Sequence, residues 1–487
     1  MIVGIDIGTQ SLKAVVTDAS LMVLGEAAVE YRPSFPGPDR AEQHPSIWER
    51  TLGPAVAAAL RQADVPAARV AALGVCGQLD GCIAVDVSGT ALGPCLIWMD
   101  RRAQAEAAEV PANLIRARSG VVRDPSHMAA KIAWLKRHDP RAAGAARFHQ
   151  PVSYMVERLT GASVMDHALA STSMLYGLRA RGYDSELLDR FGIDRSSLPA
   201  LAEAEAPAGL LSKAGAELCG LPADIPVAVG TGDDFSTPLG AGLVVPGTLE
   251  VAVGTGEVIG AIHRSPTVDE KALVETNAYP GGSWFLKTPG WLSGGAVVWL
   301  RDLLGMETVQ AFDALAESVG PASDGLLFLP ALTGAMAPEW HAGARGCFYG
   351  LTPSHGRGHL ARALMEGCAF AMRDVADRLR ELGVKADDVL LLGGGAKSRL
   401  WTQIRVDVLC VPGRVPARVD TSPLGAAMLA AVAAGFLADL EQAAALVRAA
   451  PAALLDPVPE RCEIYAQAYE SYRQLFQCLR PIFAMEA

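Results

Sequence analysis

The 487-residue chain has no CxxC pair, no basic run and no uninterrupted apolar stretch long enough to span a membrane. Its nine cysteines stand singly, an odd number without metal-ligand spacing. That excludes a zinc ribbon or disulfide framework and points to small core residues in a reducing compartment. A net charge of −11 argues against a nucleic-acid or anionic-membrane partner. The longest apolar stretch, Leu424 to Ala438, is interrupted by Gly425 and Gly435. A span needs about twenty apolar residues, so this stretch reads as a buried helix. Two nucleotide fingerprints are missing as well. Gly393-Gly394-Gly395-Ala396-Lys397-Ser398 has no glycine directly before its lysine, so the P-loop spacing fails. Gly254-x-Gly256 with Gly260 is off by one from the dinucleotide motif, and strand-like sequence comes after it. No cationic leader precedes Met1-Ile2-Val3-Gly4-Ile5-Asp6, and a cytoplasmic protein is expected.

What the chain does have is one phrase written twice. Val227-Ala228-Val229-Gly230-Thr231-Gly232 runs into Asp233, and 24 residues on Val251-Ala252-Val253-Gly254-Thr255-Gly256 runs into Glu257. Each reads as a short buried strand ending in a glycine-framed turn, where backbone N–H groups can approach a phosphate. The first turn delivers a carboxylate and the second a threonine hydroxyl.

Around these phrases the pattern alternates. Three strand-like segments, Ile2–Ile7, Leu12–Asp18 and Leu21–Tyr31, open the chain; helix and strand then succeed one another, apparently twice. Length and composition allow two α/β domains of mixed sheet flanked by helices. Pro246-Gly247 suggests the boundary, giving domains 1–245 and 246–487 without a long linker, packed around a shared cleft. Leu360, Leu364, Cys368, Met372, Val375 and Leu379 form one apolar stripe of a long helix.

Several motifs could carry chemistry. Asp6, an acid in an apolar strand, needs a cation or donors. The turn Gly8-Thr9-Gln10, with Lys13 nearby, suits a terminal phosphate, and Asp6 a water-shelled Mg²⁺. The same residues would also make an ordinary hairpin. Asp233 and Asp234 would serve as the first turn of a helix Phe235–Ala241, or Asp233 would take a proton from an attacking hydroxyl. Phosphoryl transfer needs little beyond such a base, a metal and aligned donors. Gln78-Leu79-Asp80-Gly81 and Trp98-Met99-Asp100-Arg101-Arg102 offer amides, carboxylates and an aromatic wall for a polyol.

Together these stretches resemble the FGGY family of carbohydrate kinases over essentially the whole chain, and within it the xylulose kinases most closely. Gly4–Thr9 resembles the family's phosphate hairpin, and Lys131-Ile132-Ala133-Trp134-Leu135 with His138 its first signature. Gly346–Leu351, His359-Leu360 and Ala363–Gly367 resemble the second signature. The resemblance implies two ribonuclease-H-like domains of the hexokinase–actin kind closing over a sugar and Mg·ATP. It implies Asp233 as general base, also near the metal, and Asp6 as metal ligand through water. Gly8, Thr9, Gln10, Lys13, Gly254, Thr255 and Gly256 would hold phosphates, and Gly394, Gly395 and Ala396 would line adenosine. Gln78, Leu79, Asp80, Gly81, Trp98, Asp100 and Asp234 would line the sugar pocket. The expected reaction is ATP-dependent phosphorylation of a ketopentose such as xylulose, by a possible homodimer.

The sugar positions depart from that pattern. Xylulose kinases usually read Gln-Met-His-Gly where Gln78-Leu79-Asp80-Gly81 stands, Trp-Asn-Asp at Trp98-Met99-Asp100 and Asp-Asn at Asp233-Asp234. Trp98–Arg102 also resembles the Trp-x-Asp-Arg-Arg phrase of glycerol kinases. Ribulose, another ketose or a polyol such as glycerol or erythritol is therefore the alternative acceptor, and a non-catalytic nucleotide-binding regulator on the same fold is the alternative class. Glu257, the counterpart of Asp233 in the second phrase, has no assigned role.

Overall fold

Glycine-framed turns and apolar strands build two mixed sheets on one plan in this computed structural model, which describes residues 1–288, 290–450 and 452–483. In the first lobe Ile2–Ile7, Ser11–Thr17 and Val23–Glu30 form an antiparallel meander. On its other side Ile2–Ile7 pairs in parallel with Ala72–Gly77, which pairs in parallel with Pro226–Ala228. In the second lobe Gly247–Val253, Gly256–His263 and Ser283–Lys287 are the meander, with Glu275–Tyr279 outside it. Gly247–Val253 pairs in parallel with Ala386–Leu392, and that strand with Gly413–Pro416. Every residue of Ile2–Ile7 is buried, as expected of a strand covered on both faces.

Each lobe then sends one helix to the centre of the molecule. Asp233–Gly240 comes after the parallel strand Pro226–Ala228, and Ser422–Ala433 after Gly413–Pro416. The two helices pack on each other, and Ser422–Ala433 also lies on Ile2–Ile7 and Ala72–Gly77 of the other lobe. The approach is backbone to backbone. A Cβ on Gly4 would sit 2.0 Å from the Pro423 carbonyl oxygen, and one on Gly74 1.9 Å from that of Ala426. The expected buried helix is thus present and shorter than its apolar run: Leu424 and Ala426 to Ala431 are covered because both lobes enclose them. Among the described residues no helix is long and apolar enough to cross a membrane.

The helix-rich region between the strands of the first lobe includes Met128–His138 and Pro151–Thr160, with its own apolar cluster around Ile132 and Leu187. The striped helix is Arg357–Glu381, which buries Leu364, Cys368, Met372, Val375 and Leu379 in the second lobe's core. All nine cysteines are free, yet Cys410 and Cys478 are exposed rather than in the core.

The repeated phrase is not a structural repeat. Its first copy breaks at Gly230, whose φ of 78° is open to glycine, and resumes at Thr231–Gly232 beside Cys76–Gly77 before the helix begins. The second copy is a hairpin: the Gly254 N–H donates to the Gly256 carbonyl at 2.8 Å and the chain reverses. Its counterpart is the opening hairpin, where the Gly8 N–H donates to the Ser11 carbonyl at 3.0 Å.

Candidate active site

Register alone places the acids of the first lobe. Asp6 and Thr231 are both opposite Cys76 on flanking strands, about 10 Å apart at ordinary strand spacing, and Asp233 begins two residues later. Asp6 is buried, and its Oδ1 has no hydrogen-bond partner among the described residues. Burial pushes its carboxyl up to about 6, with Lys13 opposing the shift. Lys13 Nζ lies 3.6 Å from Asp6 and 2.7 Å from Asp420, which precedes the central helix of the other lobe. The turn itself is partly committed. Gly8 spends its N–H on Ser11, so it is not the free phosphate donor expected of it. Thr9 Oγ1 accepts from Trp98 Nε1 at 2.9 Å, which joins a residue expected at phosphate to one expected at sugar. Gln10 is exposed and its carbonyl accepts from Tyr31.

Asp233 and Asp234 form the first turn of the central helix after the N-cap Gly232, and neither side chain caps it, so the first-turn reading and the cleft reading fall on the same place. Asp233 is partly exposed, and its Oδ1 accepts the Asp234 N–H at 3.0 Å. Burial, then the charges of Asp234 and Asp6, hold its carboxyl well above the usual carboxylate range. Asp234 faces the other lobe, where Lys287 Nζ lies 2.5 Å from its Oδ2. Lys287 is almost fully buried; burial opposes its charge, but Asp234 and Glu275 outweigh that and raise its pKa.

The other expected sugar residues divide. Asp80 sits at φ 59°, pinned by its N–H to Gln150 Oε1 at 2.8 Å and by Lys131 Nζ to its carbonyl at 2.7 Å. Its carboxylate lies 3.2 Å from His127 Nδ1. Burial opposes charge on His127, but Asp80 and then Glu275 raise its pKa to about 9. Gln78 donates to Gln43 Oε1 at 2.7 Å, while its own Oε1 is buried without a partner among the described residues. Trp98 stays half-exposed. Asp100, in contrast, is fully buried and spent on the Ala41 N–H and on Arg102, so it braces the loop and does not face the pocket. Leu79 packs into the apolar clusters, and Gly81 is buried against Pro151 and Cys95; neither offers a group to a sugar.

In the second lobe Gly254, Thr255 and Gly256 are exposed, and the Thr255 carbonyl accepts the Gly295 N–H at 2.9 Å at the start of helix Gly294–Leu303. Gly393 and Gly395 press against Val253, so the Gly394–Lys397 turn adjoins the phosphate hairpin. The Gly393 N–H donates to the Val419 carbonyl, next to Asp420 and hence to Lys13. Ala396 turns its methyl into the core, so only its backbone is placed to line a ligand. Glu257 is fully buried and bonds Ser293 Oγ and Arg405, which makes it a core ion pair of the second lobe. His127, Glu275 and Lys287 were not singled out by sequence reasoning; a lysine ending the apolar strand Ser283–Lys287 was the available signal.

The glycine turns of one lobe therefore approach, through Val419 and Asp420, the acids of the other. Residues 1–240 match the N-terminal domain of the FGGY family of carbohydrate kinases, and residues 249–434 its C-terminal domain. The chain belongs to the FGGY family of carbohydrate kinases. It is 35% identical over 468 residues to a glycerol kinase of Gloeobacter violaceus, covering 92% of this chain and 91% of that protein. It is 29% identical over 499 residues to the xylulose kinase of Escherichia coli, covering 99% and 100%. The crystal structure of a xylulose kinase from Brucella ovis superposes with a TM-score of 0.92 at 28% identity, covering 99% of each chain. The expected family, two-domain actin-like fold and phosphotransferase class hold.

Proposed function

We propose that this FGGY kinase transfers the γ-phosphoryl group of ATP to a hydroxyl of an uncharged polyol or ketose in the cytoplasm, with Asp233 as general base. The observation that carries the reading is the convergence of Asp6 and Asp233 at one strand end, with Asp6 linked through Lys13 to Asp420 beside the Gly393 turn of the other lobe. Residues 1–245 would hold the acceptor and residues 246–487 the nucleotide. A carboxyl held above its usual range accepts a proton more readily once ionised, which suits a base acting on an alcohol. Thr255 and the backbone at Gly254, Gly256, Gly394 and Gly395 would hold phosphates and adenosine, with Thr9, Gln10 and Lys13 opposite.

The residues fit Mg²⁺. Asp6 Oδ1 is a buried oxygen without a partner among the described residues, and no described cluster of three or more His, Cys, Asp or Glu could bind a metal alone. A cation held by one or two carboxylates together with substrate phosphates is the usual Mg²⁺ arrangement. When bound, it would neutralise charge on the transferring phosphoryl group. Asp6 would orient it, and Asp233 would hold the acceptor's proton.

The pocket favours a polyol over a ketose. Asp80, Asp234 and the free Oε1 of Gln78 accept hydrogen bonds, while the nearby cations His127 and Lys287 are already engaged by the two aspartates. Hydroxyls donate to such groups, whereas a ketone oxygen only accepts. Xylulose remains the second reading, supported by the end-to-end likeness to the Escherichia coli xylulose kinase. Coupled ADP release over glycerol, erythritol, xylitol, xylulose and ribulose separates them. The polyol reading expects the highest kcat/KM among the first three, and xylulose exceeding all of them would reverse the order.

A further inference from the structure

The residues proposed above for the acceptor are not held by one lobe alone. Asp80, His127 and Asp234 belong to the first lobe, but the group facing Asp234 is Lys287, on a strand of the second lobe's sheet. Lys287 is directly opposite Glu275 in antiparallel register, so the two side chains share one face of that sheet. That face is turned to the other lobe: Phe285, two residues before Lys287, packs with Phe235 beside Asp234, and Lys287 Nζ stands 5.7 Å over the Phe235 ring. Glu275 also crosses, accepting the Val122 N–H at 3.0 Å on the loop that leads to His127. Two side chains of the second lobe thus reach residues of the first, 53 residues from Asp234 in one case and 153 from Val122 in the other.

We infer that Lys287 is a positioning residue for acceptor recognition, which with Glu275 makes the nucleotide lobe part of the acceptor site. The inference rests on the kinase reading above. Lys287 holds the Asp234 carboxylate in one orientation through Oδ2, so that its other oxygen accepts from an acceptor hydroxyl. Glu275 braces the Val122–His127 loop and with it the cation beside Asp80. The Lys287–Asp234 ion pair bridges the lobes at 2.5 Å, so an acceptor that uses Asp234 in this orientation favours a lobe separation that keeps the pair. Only small uncharged donors satisfy this arrangement: a sugar acid would set its carboxylate among Asp80, Asp233, Asp234 and Glu275.

The test compares Lys287→Met, Lys287→Arg, Asp234→Asn and the Lys287→Met/Asp234→Asn double variant with the full-length protein, on the wild type's best acceptor. Wild-type turnover of some acceptor tests the kinase reading by itself; the variants test only the inference. Losing an oriented, charge-assisted contact predicts a rise of about ten- to a hundredfold in acceptor KM for Lys287→Met, with KM for ATP within about twofold. Lys287→Arg, which keeps the charge, recovers part of it. The double variant is no worse than Asp234→Asn alone, because both remove one interaction. A purely structural role would lower the melting temperature and leave acceptor KM within about twofold, which overturns the inference. Should Lys287→Met not fold, unchanged acceptor KM in Asp234→Asn and in Glu275→Gln overturns it equally.

Discussion

Asp233 and Glu257 end the same written phrase, and the structure predicts opposite consequences for neutralising them. Glu257 is fully buried; its Oε2 accepts from Ser293 Oγ and faces Arg405, itself 1% exposed and stacked on Trp401 at 4.0 Å. Glu257→Gln keeps the volume and an acceptor for Ser293 but leaves the guanidinium without that counter-charge. Removing one partner of a buried ion pair costs about 3–5 kcal/mol. For a unit of roughly 240 residues each kcal/mol lowers the melting temperature by about 2–4 °C, so a fall of about 6–20 °C is expected. Asp233 is crowded by Asp234 and Asp6 and partly exposed, so Asp233→Asn relieves repulsion and leaves the melting temperature unchanged or higher. Its cost is in turnover, about 10²–10⁴-fold in kcat for a lost general base. Differential scanning calorimetry and coupled ADP release on both variants decide the matter. A Glu257→Gln protein as stable as wild type, or an Asp233→Asn protein with wild-type kcat, refutes the assignment.

The geometry sets three further outcomes. Gly74→Ala places a methyl within 1.9 Å of the Ala426 carbonyl, with backbone on both sides, and is expected to lose about 3 kcal/mol or more in urea unfolding. His127, raised to about 9 mainly by Asp80 against the effect of burial, stabilises the fold fully below its ordinary value of 6.5 and loses that contribution as pH rises through about 9. Its size is on the order of 3 kcal/mol, and Asp80→Asn should flatten the alkaline decline seen in urea unfolding at pH 6 and pH 9.5. Asp6→Asn should raise the Mg²⁺ concentration for half-maximal rate by about tenfold or more at saturating acceptor, as expected of a lost carboxylate at a site with few protein ligands.

The parts of this fold that were legible are those whose signal is local. The meander of Ile2–Ile7, the stripe of Arg357–Glu381 and the glycine turns are written in consecutive residues, and each appears where its pattern lies. The repeated phrase misled because identical residues do not record the direction in which the chain leaves a turn. Gly230 bends the first copy back into a parallel position before a helix, while Gly254 reverses the second into a hairpin. Asp100 misled for a related reason. Nothing in Trp98–Arg102 shows that Arg102 turns back onto it and removes it from the pocket.

A charge inside an apolar strand announces that it has a partner, since burying it alone would be too costly. Asp6 announces Lys13 within one hairpin, and the sequence could therefore suggest both. Lys287 announces a partner just as plainly, but that partner is Asp234 in the other lobe. The same holds for Glu275 and the loop before His127. The groups proposed to handle phosphate and proton sit inside motifs of neighbouring residues, so the resemblance could suggest them position by position. The groups proposed to choose the acceptor work in pairs joined only by folding, Asp234 with Lys287 and Asp80 with His127, and one member of each pair lies outside every motif. On the proposed reading a chain can therefore keep a recognisable kinase centre while its acceptor preference is rewritten at positions such as Lys287 and His127, which is where the variants above look for it.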